Sequence, residues 1–237
     1  MKRFYQEATL GPADGGHTIL LDGRPVRTPG RALLAMPNRA LAEAVAAEWA
    51  AQAETIRPDT MPLTRLANTV VDQMPERRHD ALAEIEGYAA ADLLCYRVAH
   101  PAALAERQHT TWQPWLDWAA EQLAAPLVTT TDLDPLPQPR ASLEALNRTA
   151  EALDDWRLVG LHATTRLTGS MVLGLAMVEG KLTADPAFTA AMLEELYEIE
   201  QWGQETEQEK RHTLLRSEFA ATELYCRVLL QEKEREK

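Results

Sequence analysis

The sequence predicts an α+β protein: a small N-terminal domain containing antiparallel strands, followed by a larger, mainly α-helical bundle domain. Three observations predict it. Alanine occurs 38 times, while valine and isoleucine together occur 14 times; alanine is the strongest helix former, and β-branched residues are what strands prefer. From residue 38 onward, apolar residues recur at the three- and four-residue spacing of a helix face. Residues 1–37 break that pattern with four short runs split by Gly- and Pro-bearing turn signals.

The first run, 4–10, reads as a strand ended by a turn over 11–16. A second strand over 18–21 follows, and Asp22-Gly23 is the dipeptide of a tight hairpin turn. Runs over 25–28 and 32–36, divided by Pro29-Gly30, complete the β-element. Asn38 is placed to cap a helix whose stripe is Leu41, Val45 and Trp49. After a connector with Pro58 and Pro62, Leu63, Leu66, Val70 and Met74 make a second stripe, which Pro75 is expected to stop. The first domain therefore spans 1–75 and the helical domain 76–237. In the latter, helices are expected over 76–98 (with a possible bend at 92–97), 104–123 and 143–153. A Pro-punctuated link occupies 126–139. Residues 158–178 are apolar nearly all round, the pattern of one central buried helix. Helices over 187–202 and 214–230 close the bundle.

Charge and motifs exclude several functions. Lys and Arg total 24 against 36 Asp and Glu, a net charge of −12. That disfavours nucleic acid and anionic membranes as partners. The imbalance is uneven: residues 1–37 carry five basic and three acidic residues. The opening residues hold no apolar core of a secretory signal, and the longest apolar stretch, 171–178, is far below the roughly 20 residues of a spanning helix. A cytoplasmic location is expected. Cys95 and Cys226 read as buried core thiols. There is no phosphate-binding glycine loop, no dinucleotide fingerprint and no serine-nucleophile motif.

Two weak chemical patterns exist. E-x-x-H occurs at Glu76/His79 and at Glu209/His212, the spacing used by di-metal bundles. Paired basic residues inside each motif favour solvated helix ends instead. His162 between apolar residues, and Asp132 with Asp134 in the link, are the groups an enzyme with a cleft between the domains would use.

The segment 182–209 carries eight acidic residues and neither Lys nor Arg. Phe188, Met192, Leu196, Ile199 and Gly203 share one helical face, with Glu194, Glu198 and Glu205 opposite. Glu200 falls roughly 80° from the centre of that face, at its border, with Trp202 at the other border. Two readings stay open: a partner-binding edge, since Trp is enriched at binding hot spots, or a Glu200 paired with an arginine of a neighbouring helix and a Trp202 filling the core.

Several segments together carry a family resemblance. They are Arg3-Phe4-Tyr5, L-D-G-R-P-V-R-T-P at 21–29, A-E-W-A-A-Q at 47–52, T-M-P-L-T-R-L-A-N-T at 60–69, and D-L-L-C-Y-R at 92–97. Trp112 with W-L-D-W at 115–118, P-L-P-Q-P at 135–139, L-T-G-S at 167–170 and I-E-Q-W-G at 199–203 complete the set. In this order they resemble the assembly chaperones that act on the alpha subunit of the catalytic head of ATP synthase. The resemblance implies a non-enzymatic protein without a cofactor. Its client would be the unassembled alpha subunit, kept soluble until the beta subunit replaces it. A monomer is expected, because a displaceable chaperone needs its binding face free. From pattern and charge, the expected contact residues are Glu200, Trp202 and Glu195 on the acidic helix, with Arg24 and Arg27 of the basic β-element as a second contact. Asp92, Arg97 and Gly169 are expected to shape the fold.

Overall fold

A computed structural model describes residues 1–132 and 134–231. Leu133 of the Pro-rich link and the last six residues of the predicted helical domain lie outside them. The α+β architecture is as expected: a three-stranded antiparallel sheet precedes a mostly helical remainder.

The sheet has the order β1-β2-β3, with β1 at Ala8–Ala13, β2 at Gly16–Leu21 and β3 at Arg24–Pro25. Asp22 and Gly23, with φ of 48° and 78°, make the expected hairpin turn. The first strand lies later than the sequence suggests. The amides of Gln6 and Glu7 donate to the Asp22 carboxylate (2.9–3.2 Å) instead of joining a ladder. The strand then runs through Pro12, which an edge strand tolerates. The predicted third and fourth strands reduce to β3 and to isolated bridges Arg27–Leu33 and His17–Met36.

Helix α1 (Arg39–Ala50) starts at Asn38, whose Oδ1 accepts from Leu41 N at 2.8 Å. Its Glu48 accepts from Leu63 N (2.7 Å), Thr64 N (2.8 Å) and Thr64 Oγ1 (2.6 Å), so one carboxylate closes the N-terminus of α2. Arg3 ties the chain start to the end of α1 through Gln52 O (2.5 Å), and Tyr5 donates to Trp49 O (2.7 Å).

Helix α2 runs unbroken over Pro62–Ala90. The expected stop at Pro75 does not occur. A proline removes one helical hydrogen bond, but Pro75 is on the exposed side, while Val70 and Met74 anchor the helix in the core. The division at 75/76 therefore falls inside a continuous helix. A 3-10 turn at Leu93–Cys95 then realises the expected bend. Helix α3 (Ala102–Gln122) presents Leu104, Gln108, Trp112 and Leu116 inward, and α4 (Arg140–Glu151) follows the link.

The single central helix expected over 158–178 is two helices, α5 (Asp155–Thr168) and α6 (Met171–Val178). Gly169, at φ 70°, ends α5 in the left-handed conformation, and Ser170 caps α6. Every residue of α6 is buried. Close packing of the pair depends on Gly174, where a Cβ would sit 2.5 Å from Thr165 Oγ1. The helix expected over 187–202 is likewise two, α7 (Ala184–Ala191) and α8 (Leu193–Trp202), offset at Met192. Helix α9 (Thr206–Leu230) closes the bundle. Both cysteines are buried and free, with thiols pushed up to about 12 chiefly by burial.

Asp92 joins the bend to α6. Its fully buried carboxylate accepts from Leu94 N (3.1 Å) and Val172 N (3.2 Å). Burial nonetheless pushes its pKa up to about 6, against the pull of these bonds. A raised carboxyl pKa means that the folded state favours the protonated form. The associated stability is present below about pH 4 and is lost as pH rises through about 6. For Asp92→Asn, the unfolding free energy of wild type relative to the variant should therefore fall by about 2 kcal/mol between pH 4 and 7. Urea unfolding at both pH values measures this, and a constant difference would contradict the assignment.

Candidate client-binding site

The acidic helix of the sequence is α8, and it packs on α3 and α7. Two side chains of α3 meet its carboxylates. Arg107 holds Glu200 in a two-pronged contact, Nη1 to Oε1 at 2.8 Å and Nη2 to Oε2 at 2.5 Å. Its guanidinium also lies over the Tyr197 ring, 5.2 Å from the centroid. One residue along, the buried Gln108 donates to Glu194 at 2.7 Å. Glu194 is thus engaged, although its position opposite the apolar stripe marked it as plain solvated surface. On the other flank, Arg211 of α9 bonds Glu195, and His212 Nε2 lies 2.9 Å from the second oxygen of that carboxylate.

These contacts set the electrostatics. The Arg107 guanidinium holds the Glu200 carboxyl below its ordinary range, and Arg211, with His212 behind it, does the same for Glu195. Both acids stay ionised. Glu200 and Arg107 are each about half exposed, so the pair adds little to stability but orients the carboxylate.

Trp202 ends α8, with Gly203 (φ 88°) turning the chain toward α9. Its side chain is 79% exposed, the highest value among the large apolar residues described. The two readings of the acidic helix therefore split. Glu200 does pair with a neighbouring arginine, but Trp202 does not fill the core. Nearby, a cavity of about 480 Å³ is lined by Trp112, Met192, Glu194, Glu195, Glu198 and Arg211, among others. The arrangement presents an indole and a row of carboxylates, a surface suited to arginine or lysine side chains.

Arg24 and Arg27 are exposed at and just beyond β3, and Arg27 Nη1 donates to Arg31 O at 2.9 Å. They join the sheet end of the molecule, which packs on α1, and not the α8 surface. Phe4, 65% exposed at that end, is an apolar surface residue that sequence reasoning missed. Arg107 was missed as well. It lies 93 residues from Glu200, and no local pattern marks it.

The weaker candidates resolve locally. His212 is buried beside Glu195 and edge-on to the Phe188 ring, not at a solvated helix end. Glu76 and His79 sit within α2, and among the described residues no three or more His, Cys, Asp or Glu side chains are grouped to hold a metal. His162 is a rim histidine whose Nε2 lies 2.8 Å from Glu84, and Asp132 and Asp134 are exposed in the link. Arg107→Ala should raise the Glu200 carboxyl pKa toward the ordinary glutamate value, as measured by carbon-detected NMR titration. An unchanged value would show that Arg107 does not control this carboxylate in solution.

Residues 2–120, half of the chain, match the family described as ATP12 chaperone protein. The mitochondrial protein atp12 of Schizosaccharomyces pombe is 23% identical over 215 residues, spanning 85% of this chain and 74% of its own. The crystal structure of Atp12 from Paracoccus denitrificans is similar with a TM-score of 0.89 at 36% identity, over 96% of this chain and 97% of that one. The Atu1473 protein of Agrobacterium tumefaciens is similar with a TM-score of 0.92 at 38% identity, over 96% and 86%. Fold, sequence and motif order agree: the chain belongs to the ATP12 chaperone family.

Proposed function

We propose that this protein is an assembly chaperone for ATP synthase that binds the unassembled alpha subunit and yields it to the beta subunit. The observation that carries the binding site is the exposed Trp202 at the end of α8, the helix that also carries the oriented Glu200. Much of the remaining resemblance is consumed internally. Arg3 and Tyr5 tie down the chain start, Asp22 closes the N-terminal turn, Glu48 caps α2, Asp92 and Ser170 cap α6, and Gln138 bonds both backbone groups of Val128. At 199–203, by contrast, the largest side chain faces outward.

The physics suits a displaceable partner. An unassembled subunit exposes apolar surface that it later buries, and such surface aggregates. A chaperone covers it with an aromatic anchor and charged rim contacts, which give recognition without excessive affinity. In this reading Glu200, Trp202 and Glu195 meet basic side chains of the client. Arg24 and Arg27, in the basic β-element (residues 1–37), make a second contact of opposite sign. The protein acts as a monomer in the bacterial cytoplasm, without catalysis or cofactor. Among the described residues no helix is long and apolar enough to cross a membrane.

Co-expression with the alpha subunit alone, or the beta subunit alone, tests the proposal. Soluble alpha in an equimolar complex on gel filtration, and no complex with beta, is the expected result. Alpha that precipitates regardless would overturn it. Glu200→Lys and Trp202→Ser should each weaken capture roughly tenfold. Both positions are solvent-facing, so thermal unfolding should scarcely move. Unfolding of either variant would instead make the site structural. Reversing Arg24 and Arg27 together to Glu tests the second contact by the same capture assay.

A further inference from the structure

Gln108 faces two ways. Its Nε2 reaches Glu194, while its Oε1 accepts from Val98 N at 2.8 Å. Val98 borders a separate cavity of about 490 Å³, lined on one side by Arg97, Val98, Ala105 and His109 and on the other by the threonines at 129–131. Backbone bonds hold the two walls together: Arg97 N donates to Thr130 O and Thr130 N to Cys95 O, both at 2.8 Å. The Thr130 hydroxyl accepts from Asp132 N at 2.9 Å, which holds the loop in place.

The lining is chemically one-sided. The chain carries 36 acidic against 24 basic residues, yet neither Asp nor Glu lines this cavity, whereas Arg97 and His109 do. Arg97 is incompletely satisfied. Its Nε donates to Leu94 O at 3.1 Å, but its Nη2 is enclosed without a hydrogen-bond partner among the described residues. That atom is closed to solvent, so the other Arg97 atoms that line the cavity are the ones open to a ligand. Burial lowers the Arg97 pKa. A planar guanidinium fork matches the oxygens of phosphate or carboxylate. None of this chemistry is used by the α8 surface.

We infer that this cavity binds an oxyanion, a phosphate or carboxylate group, through Arg97 and His109 against the threonine loop. The ligand is either free phosphate or an acidic side chain of a bound protein. Titrating the full chain with inorganic phosphate, and separately with acetate, tests this by amide NMR at constant ionic strength balanced with chloride. Saturable shifts centred on Val98 and residues 129–131 are expected, weakened roughly tenfold in His109→Ala and in Arg97→Gln. His109 is exposed, so its variant keeps the test valid if Arg97→Gln fails to fold. Saturation by phosphate alone assigns a phosphate ligand; saturation by acetate, alone or with phosphate, assigns a site open to protein carboxylates. Linear shifts with both anions, or saturation that His109→Ala leaves unchanged, overturn the inference. The result does not depend on whether the alpha subunit is captured.

Discussion

The structure is arranged around one constraint: an eight-residue helix, α6, has no exposed face. A helix apolar on every side must be enclosed by other elements, and α2, α3, α5 and α9 all pack on it. Enclosure also removes water from its first turn, so the free amides there need protein acceptors. Ser170 and Asp92 supply them, and Asp92 comes from a bend 80 residues earlier. A buried carboxylate is a costly acceptor, as its raised pKa shows. It persists because removing it would strand several buried donors at once.

The same logic explains the segments that carry the family resemblance. Glu48, Gln52, Asp92, Gln138 and Ser170 are polar residues wholly or partly withdrawn from water, each bonded to backbone at a helix start or within a connector. They hold connectors, caps and termini in place. Fold-making of this kind explains a motif without any client. The end of α8 is different, because its indole makes no such closure and stands in solvent.

Charge follows a comparable division. The acidic run on α8 is partly neutralised from two neighbours, Arg107 on α3 and Arg211 on α9. This fixes two carboxylates in direction while leaving Glu198 and others of the run free to act through their field. The excess of negative charge at this end, and of positive charge at the sheet end, gives the molecule two chemically distinct surfaces.

Short-range physics made part of this legible from sequence alone. Composition separated the β-element from the helices, Asp22-Gly23 marked its turn, Asn38 marked the start of α1, and helical periodicity put Glu200 and Trp202 at the borders of one stripe. Each depends on residues a few positions apart. Tertiary structure decided the rest. Core anchoring carried α2 through Pro75, and the left-handed Gly169 cut an apparently continuous apolar helix in two. Packing of α3 on α8 brought Arg107 to Glu200 across 93 residues and left Trp202 outside. Periodicity assigns a residue to a face, but it does not say which neighbour covers that face; only the packing of the whole chain does.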